Sequence, residues 1–355
     1  MFSRSRILSA LTALALVPAS LAADDAIAGM KKGTPDLKAA GALAFGPDGV
    51  LFIADAPNAT IHAVATGDTK SAGVKSISIP KIDELVGGLA GTTGSDIIIN
   101  DLKVNPVSGN VYLSTASGKG PGAKAMIVKI GADGKASEVS LKDVMHASVR
   151  LANAGKTAAI TSMAYHKGDL YVAGLTTEAW ASNLKMIPFP FSEASTKGTG
   201  VEIYHGAHGA YETKSPVQTF MAYEIAGQTH LLASYVCTPL VKFPVAELKK
   251  SDKVRGTTIA ELGNRNRPLD IIAFKKDGKD YALISNSARG VMKVSLDGVE
   301  KIESITARVN GTAGLKYDSI KELDGTSQLD KLNETMAVVI RKTDKGTSLE
   351  TVTLP

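Results

Sequence analysis

The sequence predicts an all-β fold, a six-bladed β-propeller with seven blades as the alternative. One hairpin phrase recurs in degenerate copies, the copies are nearly evenly spaced, and the residues between them suffice for further short strands. The first copy reads Ala44-Phe-Gly-Pro-Asp-Gly-Val-Leu-Phe-Ile-Ala-Asp55. Others begin at Leu102, Met163, Phe220 and Ile271, and each joins two short apolar runs through a turn of Gly, Asp, Asn or Pro, or a close variant of one. Taking Phe45, Val104, Met163, Met221 and Ile272 as anchors gives spacings of 59, 59, 58 and 51 residues. That is room for four strands and variable loops, more than one hairpin needs. A sixth, weaker copy starts near Leu315 and closes on Met336-Ala-Val-Val-Ile-Arg341. The final strand, Leu349 to Thr353, is expected to join a blade containing early residues, because a closed ring leaves no exposed sheet edge.

Residues 1–22 read as a secretory signal peptide. Arg4 and Arg6 precede an apolar stretch from Ile7 to Val17, and Ser20-Leu21-Ala22 supplies the small residues of a cleavage site. The apolar stretch is about half of what a membrane-spanning helix needs. The rest, residues 24–355, is expected to be one propeller, periplasmic or secreted, with no membrane span after cleavage. Losing Arg4 and Arg6 lowers the formal charge from +5 to +3, and no run of five or more Lys or Arg exists. A nucleic-acid groove or a polybasic membrane patch needs clustering that is absent. Cys237 is the only cysteine, so no intrachain disulfide forms. A chain of this length buries about three quarters of its unfolded surface, so the core alone can hold it.

The first strand of each hairpin is expected to line the channel, and the residues entering it to present polar groups. Asn100, Asp101, Gln218, Arg267 and Asp270 stand out among these entries as ligand-binding candidates. Thr312-Ala313-Gly314 is the entry assigned to the sixth copy. His146 is read into a loop overhanging the channel. Aligning the turns that follow the second strands places Asn58, Cys237 and Ala288 in equivalent positions, so Cys237 sits in a turn. The insert Glu202 to Pro216 carries His205 and His208, three apart, with Gly206 and Gly209 permitting tight turns. With His230, in the blade that holds Cys237, they form a candidate zinc or copper set of imidazoles and one thiolate. A polar loop without a ligand, and a structural thiol, are the competing readings.

The phrase Phe45 to Asp55 resembles the repeat of NHL-type and SMP-30/gluconolactonase-like propellers, and Asn286-Ser-Ala-Arg-Gly-Val-Met-Lys-Val294 resembles the strand-turn-strand that follows it. The resemblance extends in dilute form over about 41 to 341 and implies a propeller. It also implies a divalent metal, calcium or zinc, at the channel, for which Asn100, Asp101 and Asp270 are the matching positions; the Glu expected at the first entry is missing. Streptogramin-lyase-like propellers use His and Glu near the channel, which His205, His208 and Glu212 loosely match.

No nucleophile elbow, phosphate loop, zinc-protease motif or haem-attachment pair is present. The leading expectation is therefore an exported propeller that binds a small molecule or a periplasmic protein at its channel face. The second is a metal-dependent hydrolase of lactone-like esters, with Asp101, Asp270 and His208 as catalytic candidates. The third is a copper or redox-metal protein at Cys237.

Overall fold

In a computed structural model that describes residues 27–73, 76–192, 197–237, 239–344 and 346–355, six sheets stand in a ring, a six-bladed β-propeller. The proposed signal peptide lies outside the described residues. Among them no helix is long and apolar enough to cross a membrane.

Each blade starts with an inner strand at the channel and steps outward. Blade 1 runs Leu43–Phe45, Val50–Asp55 and Thr60–Ala65. Blade 2 runs Ile97–Val104, Val111–Ser117, Lys124–Ile130 and Ala136–Glu138. Blade 3 begins with Ser162–His166 and reaches Thr199–His205, blade 4 begins with Val217–Ile225, blade 5 with Pro268–Lys276 and blade 6 with Thr326–Lys331. The hairpin copies are the first two strands of blades 1 to 5: each second strand is an apolar run buried on both faces between neighbouring blades, and a left-handed turn residue joins it to the first.

The sixth copy lies further along than expected. Thr312–Gly314 is the outer edge of blade 4 and Tyr317–Ser319 the outer edge of blade 5, so blade 6 starts only at Thr326. The stretch near Leu315 fills two edges rather than opening a blade. Closure follows the expectation: Leu349 pairs with Ile79 and Glu350 with Ser78.

Ring order departs from chain order. After three strands of blade 1 the chain lends Ser78–Ile79 to blade 6, builds blade 2, then returns as Val144–Arg150 to complete blade 1. Around the channel the blades therefore run 2, 1, 3, 4, 5, 6. Six apolar clusters fill the six seams in that order: Leu43 and Ile53 meet Tyr112 and Ile127 between blades 1 and 2, whereas Phe52 meets Met163 and Leu170 between blades 1 and 3. Blades 2 and 6 join through Leu113, Val128, Val338 and Ile340. Burying one such side chain contributes about 2–3 kcal/mol, so the seams dominate the stability. Asp68 pins the crossing out of blade 1 by accepting hydrogen bonds from Ser108 Oγ (2.8 Å), Tyr112 Oη (2.9 Å) and Asn110 Nδ2 (3.0 Å) of blade 2.

His146 is a further correction. It lies in the strand Val144–Arg150, paired with Val64 and buried, and does not overhang the channel.

Candidate functional site

The inner strands enclose a central cavity of about 1030 Å³. Its size matches what small-molecule sites usually offer. At one repeat-equivalent position five blades present Ala44, Lys103, Ala164, Ala222 and Ala273, and blade 6 presents Asp330 beside them; all six line the cavity. Four alanines keep the channel open. One lysine and one aspartate break the series and concentrate charge on one side.

Bulges shape the mouth. The inner strands of blades 2, 4, 5 and 6 each shift register once near their start, and the extra residues are Asn100, Gln218, Leu269 and Ser327, all lining the cavity. Such an insertion bends the strand and re-aims side chains, here turning Asp101 and Asp270 toward Lys103. Lys103 Nζ lies 3.7 Å from Asp101 Oδ1 and 3.7 Å from Asp270 Oδ2, with Asp330 also acting on its charge.

The same carboxylates tie the blades together. Asp101 accepts from Leu43 N (2.7 Å) of blade 1, Asp330 from Val104 N (2.7 Å) of blade 2, and Asp270 from Leu329 N (3.1 Å) of blade 6. Backbone amides orient these groups without cancelling their charge. Burial works against the Lys103 ammonium, but Asp101, Asp270 and Asp330 outweigh it and hold its pKa above the ordinary lysine value. Burial pushes Asp270 up to about 7, with Lys103 opposing and Asp101 adding to the rise. Asp330 is raised as well, again by burial against the pull of Lys103. Three carboxylates thus share one ammonium, and near neutrality part of the excess is carried as a proton.

Of the residues singled out from the sequence, Asn100, Asp101, Gln218 and Asp270 line this cavity. Arg267 does not. It lies exposed in the turn before blade 5, its amide donating to Ser287 Oγ. The lactonase-like set is not arranged around one ion: Asn100 Nδ2 donates to Ala40 O at 2.9 Å, and a lysine occupies the space between Asp101 and Asp270. Lys103 and Asp330 were missed by sequence reasoning, although their breaking of the alanine series was the available signal.

A second polar cluster sits at the same end of the ring, further out, where blade 3 meets blade 4. His205 ends the fourth strand of blade 3, Cys237 lies in the turn after the second strand of blade 4, and Glu261 is the penultimate residue of the fourth strand of blade 4, Thr257–Leu262. His205, His208 and Cys237 each place one ligand atom within 4.8 Å of the others. His230 is not among them: it lies near the start of Gln228–Tyr235, whose far end leads to Cys237, and Nδ1 meets Gln228 O at 2.9 Å. Glu212 Oε2 stands 3.1 Å from His205 Nδ1 and Oε1 2.5 Å from His208 Nδ1, while Ser215 Oγ donates to Glu212. Burial disfavours the Glu212 charge, yet these partners prevail and hold it down to about 2.

No family model and no curated protein matches the chain. Among solved structures it is similar to an oxidoreductase of the glucose dehydrogenase kind from Thermus thermophilus, at 13% identity and a TM-score of 0.32, over 91% of this chain and 100% of the other. It is also similar to the PQQ-bound aldose sugar dehydrogenase of Streptomyces coelicolor, at 11% identity and a TM-score of 0.35, over 91% and 97%. The plexin A4 extracellular region gives 9% identity and a TM-score of 0.40, over 91% and 46%. At these values the likenesses carry no functional argument, and the propeller stands on its own six sheets.

Proposed function

We propose that this protein is an exported binding propeller whose central channel takes a small ligand bearing a positive charge, such as a primary amine. The carrying observation is the charge imbalance in the cavity wall: Asp101, Asp270 and Asp330 surround Lys103, while the other lining lysine, Lys331, is already paired with Glu334. A ligand cation would complete the neutralisation that Lys103 leaves unfinished and would favour release of the proton held by Asp270. Thr161 and Gln328 belong to the same cavity wall, and their Oγ1 and Oε1 atoms, buried and without a hydrogen-bond partner among the described residues, suit a ligand with hydrogen-bond donors. The signal-peptide pattern of residues 1–22 supports export.

Binding calorimetry at pH 8 against small amines, size-matched polyols and carboxylates tests this. The proposal expects the amines to bind, and Asp270→Asn to weaken them about tenfold. Preference for carboxylates, or amine binding indifferent to that substitution, overturns it.

A further inference from the structure

We infer that His205, His208 and Cys237 form a binding site for one thiophilic metal ion, zinc(II) or copper(I). This site is separate from the channel and independent of the function proposed for it.

The first support is geometric. The three ligand atoms lie within 4.8 Å of one another, and a four-coordinate ion with bonds of about 2.1 Å to nitrogen and 2.3 Å to sulfur holds such ligands about 3.4–3.6 Å apart. The gap to be closed is about 1 Å, and His208 and Cys237 both lie on turns rather than inside strands.

The second support is unmet bonding. His205 is 2% exposed, and neither ring nitrogen has a hydrogen-bond partner among the described residues. Glu212 lies near Nδ1, but the alignment falls short of a hydrogen bond. A buried imidazole left this way loses free energy unless something supplies a bond. The Cys237 sulfur is the nearby soft donor, and an ion shared with it answers both.

The third support is the surrounding charge. Glu212 Oε1 is hydrogen-bonded to His208 Nδ1, the arrangement in which a carboxylate fixes the tautomer and leaves the other nitrogen as the ligand, and Glu212 Oε2 lies 3.1 Å from His205 Nδ1. Glu261, 1% exposed, fixes the loop by accepting from Gly206 N at 2.5 Å and keeps a second oxygen buried near the imidazoles, without a hydrogen-bond partner among the described residues. Two carboxylates beside two imidazoles and a thiol favour a cation over an anion. The donor set selects among cations: sulfur and imidazole suit zinc and copper, and do not suit calcium or magnesium.

The turn that carries Cys237 is itself braced. Its amide donates to Asn266 O at 2.9 Å, its φ is +60°, and the Asn266 side chain is held by Asn286 Nδ2 at 2.8 Å. The thiol is half-buried and His208 largely exposed, so the fourth coordination position faces solvent.

Because Cys237 is the only thiol in the chain, its reactivity reports the site directly. The full protein, reduced and chelator-treated, is titrated anaerobically with zinc(II), and separately with copper(I) against a chromophoric competitor, while thiol modification by a disulfide reagent is followed. The inference expects one equivalent of one of these ions to slow modification at least tenfold. Cobalt(II) substitution should give a thiolate charge-transfer band that Cys237→Ser abolishes. His208→Ala should weaken binding about a hundredfold, and Glu212→Gln about tenfold, with the melting temperature of the ion-free protein checked for each. A folded protein whose thiol reacts equally fast with and without the ions overturns the inference, as does stoichiometric binding that survives both Cys237→Ser and His208→Ala. Whichever ion protects at the lower concentration identifies the metal.

Discussion

Replacing Lys103 by Met removes the charge shared by Asp101, Asp270 and Asp330 while keeping most of the side-chain volume. At 3.7 Å each ion pair is worth about 4 kcal/mol at an effective dielectric constant near 20, before the cost of desolvating the lysine is returned. Breaking a buried pair from one side typically costs about 3–5 kcal/mol, because the surviving carboxylates are left uncompensated. That is the destabilisation expected at pH 8. At pH 5 Asp270, with a folded pKa of about 7, is already protonated, and Asp330 is raised in the same direction. Less charge is then stranded, and the loss should shrink to about 1–2 kcal/mol. Urea unfolding of wild type and Lys103→Met at both pH values measures this. An equal loss at the two values, or a loss below about 1 kcal/mol at pH 8, would refute the reasoning.

Two further outcomes concern single carboxylates. The folded protein holds a proton on Asp270 that the unfolded chain has released, so this group's contribution is complete below about pH 4 and is lost as pH rises through about 7, by at most about 4 kcal/mol. Asp270→Asn should therefore flatten the fall in stability between pH 5 and 8, measured by the same unfolding curves; an unchanged slope contradicts it. Asp68 behaves in the opposite sense. Burial penalises its charge, but Asn110, Ser108 and Tyr112 hold its pKa below the usual carboxylate range, so its contribution is present above that range and lost as pH falls into it. Asp68→Ala should cost about 2–4 kcal/mol at pH 7 and loosen blades 1 and 2 first, seen as faster amide exchange in Val111–Ser117 than in blade 5.

The propeller was legible because the repeated hairpin is local: its two short apolar runs and the turn residues between them lie within about a dozen positions. Ring order was not, since the crossing depends on Ser78–Ile79, two residues with no pattern of their own, and on Val144–Arg150, which reads as a loop until its partner strand is known. Asp101 and Asp270 could be picked out as polar entries. Lys103 was hidden inside a strand, and its meaning depends on Asp270 and Asp330, which the fold brings from blades 5 and 6. The turn position of Cys237 followed from aligning Asn58 and Ala288. Its nearness to His205 depends on a seam between blades 3 and 4, and the same fold sends His230 toward the other end of the strand. Glu261 was overlooked because its strand carries no copy of the hairpin phrase.

The most direct test of channel binding is to plug the channel and measure affinity. Ala222 lines the cavity from blade 4, across the ring from Lys103 in blade 2, so Ala222→Phe narrows the cavity and leaves all four charged groups in the chain. With the tightest amine from the calorimetric panel, the account predicts at least a tenfold loss of affinity in Ala222→Phe with the melting temperature of the ligand-free protein retained. Unchanged affinity in a folded, plugged protein would place the ligand elsewhere and contradict the account.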